Sequence, residues 1–353
     1  MKVVFYALTD EDLFLNRLPV ARHLRDVGYE IGFAAPSDGY ATKIEEESFE
    51  FNRILDAGRS VVGDVAATLS LFRTLKRIKP DIVHSFGLRA ALRSGLAARV
   101  MRLSWVVHSI SQPPSDYRPP SLLKVALSDG EVTFRHRKDR DTFIARHYAR
   151  PEQTHVLRSS GIDLRDIPMT EEPNRTPVAA LVSPEAADLE FFGGAARTIL
   201  SEDIRARFVV IGDAYTPDMR WQLQRWQEEG LVDWWAKRDD LARALSNVHI
   251  VCLPAQMSEH ERIMASAAGR ALVSAAPRER DRVLRAGDSA VILRSNDASQ
   301  LTQSLRDLLQ NSEKRRKMGR RAREIVEAEF SAKCVAREIM AVYERLFEKG
   351  RTV

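Results

Sequence analysis

Residues 249–275, HIVCLPAQMSEHERIMASAAGRALVSA, constrain the fold more than any other stretch of the chain. HIVCL is a short apolar run of the kind that forms a buried parallel strand, and Pro254 with the small polar residues after it ends that strand. A helix follows at once. Ser258 and Glu261 have the Ser-x-x-Glu spacing of a capping box, Ile263, Ala267 and Ala268 supply an apolar face, and Gly269 is the expected stop. ALVSA then begins another strand. In open α/β sheets ligands bind beyond the carboxyl ends of the strands, where helix N-termini offer free N–H groups to anions. Residues 254–262 are therefore expected to border a phosphate-sized site.

The same alternation runs through the whole chain. KVVFYAL reads as a strand buried on both faces, followed by a TDED turn and a helix over about Phe14 to Val27, with Leu15, Leu18, Ala21 and Leu24 on one side. YEIGFAAP is a second strand, and Phe51 to Leu55 a short third. Leu69 to Ile78 is a helix with Leu71, Phe72 and Leu75 inward, closed by Pro80. DIVHSFG, LRAALRSGLAARVM and SWVVHSI continue as strand, helix and strand, which defines a doubly wound parallel sheet. LRDIPMTEEPNRTP is polar, proline-bearing and aperiodic, as an interdomain linker is. A second alternation starts at VAALV. It runs through a helix over Phe191 to Leu200, the strand RFVVIGD, a helix over Met219 to Glu228, a short strand at VDWWA and a helix over Leu241 to Leu245. Amphipathic helices close the sequence. No Gly-x-Gly-x-x-Gly follows the first strand and no Gly-Lys-Ser/Thr loop occurs, so two common nucleotide motifs are absent.

The length of 353 residues suits two domains, each with its own core. With 44% hydrophobic and 29% charged residues, the chain is neither disordered nor fibrous. No apolar run approaches the ~18 residues of a membrane span, and MKVVFYALTDED lacks the basic start and long apolar core of a signal peptide. A cytoplasmic protein is expected, with at most peripheral contact at the inner membrane face. The net charge of +5 is a modest excess that solvated surface accounts for, and no nucleic-acid partner is expected. Cys252 in a buried strand and Cys334 in a terminal helix form neither a disulfide framework nor a metal-ligand pattern, and no cofactor or metal is expected.

Several stretches carry a resemblance. ASAAGRALVSA is similar to the segment of retaining glycosyltransferases of family 4 in which a spaced glutamate pair precedes a small-residue helix ending in Gly-Arg-Pro. LNRLPVARHLRDVGYEIGFAAP, KPDIVHSFGLRAALRSGLAAR and THVLRSSGID resemble, in order, the first strand-helix unit, the Pro-Asp-Ile-Val-His strand and the Gly-Ser-Gly-Val-Asp turn of members acting on surface polysaccharides. The tail resembles the family's ending at Asp297, Met318, Gly319, Phe330 and Ser331. The resemblance implies the GT-B fold: two doubly wound Rossmann-like domains facing each other across a cleft. It implies an acceptor-side domain over 1–163, a linker over 164–177, a donor-side domain over 178–332, and a last helix over 333–353 that packs back on the first domain.

By the same resemblance the donor-site residues are replaced. Gln256 and Met264 stand where the family has its two glutamates, and Val182 and Ala187 where it has the arginine and lysine that neutralise the leaving diphosphate. Ala236 stands where a glycine is expected, and the loop after VVH reads Ser109, Ile110, Ser111, Gln112, Pro113, Pro114. Loss of one preorganised donor to a developing anion costs about 3 kcal/mol. The remaining ligand candidates are Asn16 and Arg17 at the first helix, His84 at the end of its strand, Ser111, Gln256, Glu259 and Glu261. Glu261 has a plainer role as a helix cap, His84 and His108 plainer roles in the core, and the run Lys314 to Arg321 a plainer role as a solvated helix face. Tryptophans 221, 226, 234 and 235 suit a sugar-stacking platform, but Trp234 and Trp235 more simply fill a strand.

Two functions of different class follow. One is a glycosyltransferase-like protein of surface-glycan assembly that is a pseudoenzyme, binding a glycan, a lipid-linked intermediate or an active glycosyltransferase partner. The other is an active hexosyltransferase that holds a nucleotide sugar through rearranged contacts and transfers it to a glycan or lipid-linked acceptor. A nucleotide-sugar epimerase on the same fold is a third, weaker reading. The first predicts an apolar or blocked pocket around Val182, Ala187 and Met264. The second predicts cationic side chains converging near Ser258.

Overall fold

The computed structural model describes residues 1–55, 58, 60–103, 105–111, 120–158, 161–235, 241–275, 283–294 and 298–351. The chain divides into two compact units, Met1–Gly161 with Ala332–Val353, and Ile162–Ser331.

Unit 1 begins with β1 (Lys2–Tyr6), α1 (Asp10–Asn16), α2 (Leu18–Asp26), β2 (Glu30–Ala35), α3 (Ala41–Glu46), β3 (Glu50–Arg53) and α4 (Val61–Ile78). It continues with β4 (Ile82–Phe86), α5 (Leu88–Met101), β5 (Val106–Ile110), α6 (Pro120–Leu127), β6 (Glu131–Phe134), α7 (Arg137–Ala145) and β7 (Thr154–Val156). The seven strands form one parallel sheet ordered β3-β2-β1-β4-β5-β6-β7. Parallel strands covered on both faces are apolar throughout, and β1 shows why. Val3 and Phe5 pack with α2 on one face, and Val4 and Tyr6 with α4 and α5 on the other.

Unit 2 contains β8 (Val178–Val182), α8 (Ala186–Ser201), β9 (Arg207–Ile211), α9 (Pro217–Glu228), β10 (Asp233–Trp235), α10 (Leu241–Ser246), β11 (Ile250–Leu253) and α11 (Glu259–Ala267). β12 (Ala271–Ser274), β13 (Val291–Ile292), α12 (Ala298–Gln310) and α13 (Ser312–Glu329) complete it. Its parallel sheet is ordered β10-β9-β8-β11-β12-β13. Ala179 and Leu181 face α8, α9 and α12, while Ala180 and Val182 face α10, α11 and α13. The last helix, α14 (Ala332–Arg351), belongs to unit 1, where Val335, Ile339, Val342 and Tyr343 join the core beside α2.

Several elements depart from the sequence reading. The single helix expected over Phe14 to Val27 is two, α1 and α2, joined at Arg17 (φ −119°, ψ −29°). The TDED turn is the cap and first turn of α1: Thr9 Oγ1 accepts from the Asp12 N–H at 3.2 Å. Pro19 lacks the N–H that would continue one helix through this point. α4 starts eight residues earlier than expected, because Ser60 caps it (Gly63 N–H to Oγ, 3.0 Å) and its first turns expose Val62, Val65 and Leu69, which hides the periodicity. α8 likewise starts at Ala186, where the Glu185 N–H donates to Asp188 Oδ2 at 2.8 Å.

The aperiodic segment 164–177 has no helix or strand but is fastened to unit 2. Arg323 Nη1 donates to the Ile167 carbonyl at 2.6 Å and to that of Ala267 at 2.7 Å. Arg270 donates to Thr170 Oγ1 and the Glu171 carbonyl, and Arg315 pairs with Glu172 at 3.2 Å. Arg315 is thus not part of a solvated face. It is buried, and its Nη1 also donates to the Leu308 and Leu309 carbonyls in the last turn of α12.

Candidate functional site

Each sheet reverses its strand order once, between β1 and β4 in unit 1 and between β8 and β11 in unit 2. Crevices beyond the carboxyl ends of the strands at such points are where ligands bind in doubly wound sheets.

In unit 1 the crevice is a pocket enclosing ≈ 480 Å³ of empty space, part of it open to solvent. Phe86 ends β4, Ile110 and Ser111 close β5, and Phe134 and Arg135 close β6, while Arg17 and α14's Val335 and Ile339 supply the other walls. The Arg17 guanidinium carbon lies 4.3 Å from the Phe86 ring centroid, a cation–π stack. Burial lowers the pKa of Arg17, Asp12 raises it, and nearby Arg135 lowers it again.

A polar chain runs beneath this pocket. His84 Nδ1 lies 2.8 Å from Tyr343 Oη, His84 Nε2 lies 2.8 Å from Ser109 Oγ, and Ser109 Oγ lies 2.7 Å from Thr133 Oγ1. Burial, followed by the charge of Arg17 and by His108, holds the His84 pKa well below its ordinary value, so the ring is neutral. The expectation that His84 ends its strand is corrected: it is the middle residue of β4, fully buried, with both ring nitrogens engaged. His108 is also fully buried, with Nδ1 2.8 Å from Ser85 Oγ, and burial brings its pKa down to about 4. Asn16 donates to Asp12 Oδ1 at 2.8 Å and does not line the pocket.

In unit 2 the corresponding crevice is apolar. Leu181, Cys252, Leu253, Val273 and Leu293 from the strands and their exits meet Phe191, Phe192 and Leu301 around ≈ 400 Å³ of empty space. Asp188 is the ionisable carboxyl in its wall. Burial raises its pKa, with a further push from Glu185, opposed by the Glu185 N–H. Burial likewise raises the Cys252 thiol to about 12, so it remains protonated and unreactive.

The residues expected to hold a donor are distributed differently. Glu261 completes a capping box: Oε2 accepts from the Ser258 N–H at 3.1 Å and from Ser258 Oγ at 2.8 Å, and Oε1 accepts from Ser183 Oγ at 3.3 Å. Val182 is buried at the end of β8, Ala187 is exposed in the first turn of α8, and Met264 packs on the core beneath α11. Gln256 is exposed and Glu259 half-buried in the first turn of α11. Arg262 Nη1 donates to the Met257 carbonyl at 2.5 Å. The apolar pocket is thus built from Leu181 and Cys252, not from Val182, Ala187 and Met264, whose side chains belong to the opposite sheet face or to the surface. Trp221 is exposed, Trp226 is buried, and Trp234 Nε1 donates to the Gly212 carbonyl at 3.0 Å, so the four do not make one platform. Ala236, Gln112, Pro113, Pro114, Ser159, Ser160 and Asp297 lie outside the described residues.

The structure therefore brings Arg17 and Ser111 together and leaves the other candidates apart. Arg135, Thr133 and Asp188 were missed. Arg135 follows a strand of only four residues, EVTF, whose polar members mask it, whereas Asp188 is signalled by its Glu185-x-x-Asp188 spacing. Among the described residues no group of three His, Cys, Asp or Glu side chains is placed to hold a metal, and no helix is long and apolar enough to cross a membrane.

Residues 191–341 match a family model described as glycosyl transferase-like. No curated protein matches the chain by sequence. Solved structures share its fold along its whole length. A glycosyltransferase from Rickettsia africae superposes with a TM-score of 0.77 at 12% identity, covering 98% of both chains. HepE of Anabaena in complex with UDP gives 0.75 at 16% identity, covering 98% of this chain and 100% of that one. The UDP-GlcNAc 2-epimerase from Neisseria meningitidis bound to UDP-GlcNAc gives 0.73 at 14% identity, with 98% and 100% coverage. At such identities the likeness is one of fold: two parallel-sheet, Rossmann-like α/β domains of the GT-B class.

Proposed function

We propose that this chain is a glycosyltransferase-like protein of surface-glycan assembly whose second unit no longer holds a nucleotide sugar, and which serves as a binding subunit. Its partner is a glycan, a lipid-linked intermediate or an active glycosyltransferase. The observation that carries this reading is the state of Glu261. Both carboxylate oxygens are engaged by Ser258 and Ser183, so the carboxylate one helical turn before Met264 acts as a helix cap. Val182 and Ala187 cannot neutralise a departing diphosphate, and each such donor is worth about 3 kcal/mol in transfer. The crevice of unit 2 is lined by Leu, Phe and Val and one carboxyl held towards its neutral form. The exposed ridge Val62, Val65 and Leu69 on α4, continued by exposed Arg73 and Lys76, supports a docking role.

Titration calorimetry at low salt against uridine, guanosine and adenosine diphosphates and their sugar conjugates tests the reading. No binding at millimolar ligand is expected. Glu261→Ala is expected to lower stability by about 1 kcal/mol through loss of the cap and to change no nucleotide affinity. Micromolar binding that disappears in Glu261→Ala overturns the proposal. It would mean that the donor site has been rebuilt, as the second reading of an active transferase with rearranged contacts requires, a reading favoured by the UDP-glucose complex of the structurally similar HepE.

A further inference from the structure

Unit 1 contains a site that the reading above does not use. Arg17 Nε is buried and has no hydrogen-bond partner among the described residues, although the side chain is 17% exposed overall. Its nearest countercharge is Asp12, whose Oδ1 lies 3.5 Å from Nη2, beyond hydrogen-bond length, and already accepts from Asn16 at 2.8 Å. On the Nε/Nη2 edge of the guanidinium, the edge that grips carboxylate and phosphate side-on, Nε–H is therefore unengaged and Nη2 keeps only a long ion pair with Asp12. A second cation, Arg135, shares the pocket and repels it. An anion bound between the two guanidinium groups would be attracted by both and would relieve their mutual repulsion.

The hydroxyls below complete the arrangement. Burial raises the Tyr343 pKa well above its ordinary value, so its O–H keeps its proton. With the His84 proton on Nε2, Tyr343 donates to Nδ1, Nε2–H donates to Ser109, Ser109 donates to Thr133, and the Thr133 hydrogen remains for the pocket.

We propose that this pocket binds an oxyanion, the carboxylate or phosphate of a charged glycan or its precursor. Arg17 grips it through Nε–H and Nη2–H, Arg135 adds the second positive charge, and Thr133 donates from below. The site makes unit 1 selective for acidic over neutral sugars. It does not depend on whether unit 2 binds a nucleotide.

The test is titration of the full chain at low ionic strength with glucuronate, glucose 1-phosphate, inorganic phosphate and neutral glucose. Glucuronate or glucose 1-phosphate binds, glucose does not, and Arg17→Gln and Arg135→Gln each weaken binding about tenfold or more. Binding of glucuronate alone identifies a carboxylate source, and of the phosphates alone a phosphate source. Thr133→Val, which keeps the side-chain volume, decides the matter if Arg17→Gln fails to fold: weaker binding at a temperature where the variant is still fully folded supports the site. Absence of binding by all three anions, or binding indifferent to these substitutions, overturns it. Either failure leaves the reading of unit 2, tested on Glu261, standing.

Discussion

The hydroxyl of Tyr343 in α14 lies 2.8 Å from Nδ1 of His84 in β4, joining positions 259 residues apart in the chain. The two rings also meet edge to face, with centroids 5.8 Å apart. The last helix is thereby held to the middle of the sheet by a specific polar contact as well as by Val335, Ile339 and Val342.

Tyr343→Phe removes only the hydroxyl and leaves His84 Nδ1 buried without its partner. Loss of one member of a buried hydrogen bond costs about 1–3 kcal/mol. Urea denaturation of the variant is expected to show that loss with the m-value unchanged. A midpoint equal to wild type would mean the contact contributes nothing.

Acidification is expected to destabilise unit 1 before most carboxylates titrate. His108 protonates near pH 6.5 when unfolded, but burial brings its folded pKa to about 4. The unfolded chain therefore binds more protons between these values, and stability is full above pH 6.5 and falls as pH drops towards 4. His84, lowered for the same first reason, acts in the same direction. The His108 contribution amounts to about 2 kcal/mol at pH 5. Denaturation at pH 7 and pH 5 measures it: the difference should shrink in His108→Gln, and an unchanged difference counts against the assignment.

Gly319 and Gly194 make a matched pair. A Cβ on Gly319 would lie 2.1 Å from the Gly269 carbonyl oxygen, a backbone atom that cannot swing aside, whereas one on Gly194 meets nothing within 4 Å. Gly319→Ala is expected to cost at least about 1–3 kcal/mol by overpacking. Gly194→Ala, in the middle of α8, is expected to be stabilising by about 0.5–1 kcal/mol. Thermal unfolding of the two variants reads both signs.

The sequence discloses the strands that are apolar on both faces and conceals those that are not. KVVFY, IVHSF and VAALV stand out because each is covered on both sides. EVTF and THV do not, since Glu131 and His155 satisfy each other at 2.5 Å and Thr133 bonds Ser109, pairings no local pattern announces. The start of α4 was hidden by valines that face solvent. Within the sites, the cap role of Glu261 was legible because capping is a three-residue spacing. The oxyanion pocket was only half legible. Arg17 is marked by its place at a helix start, but its partner Arg135 comes from a strand more than a hundred residues on, brought near by sheet order alone. The Met-Gly at Met318 and Gly319, noticed only as a likeness, has a physical cause in the close approach of α13 to the end of α11.

Unit 2 occupies one unbroken stretch, Ile162–Ser331, while unit 1 needs Ala332–Val353 from beyond it. On the ribosome, then, the second unit has all its residues before the first does. The face carrying Val3, Phe5 and Phe33 has α2 against it from the start but stays incompletely covered until α14 has been made. Completion of the two folds runs opposite to the direction of synthesis.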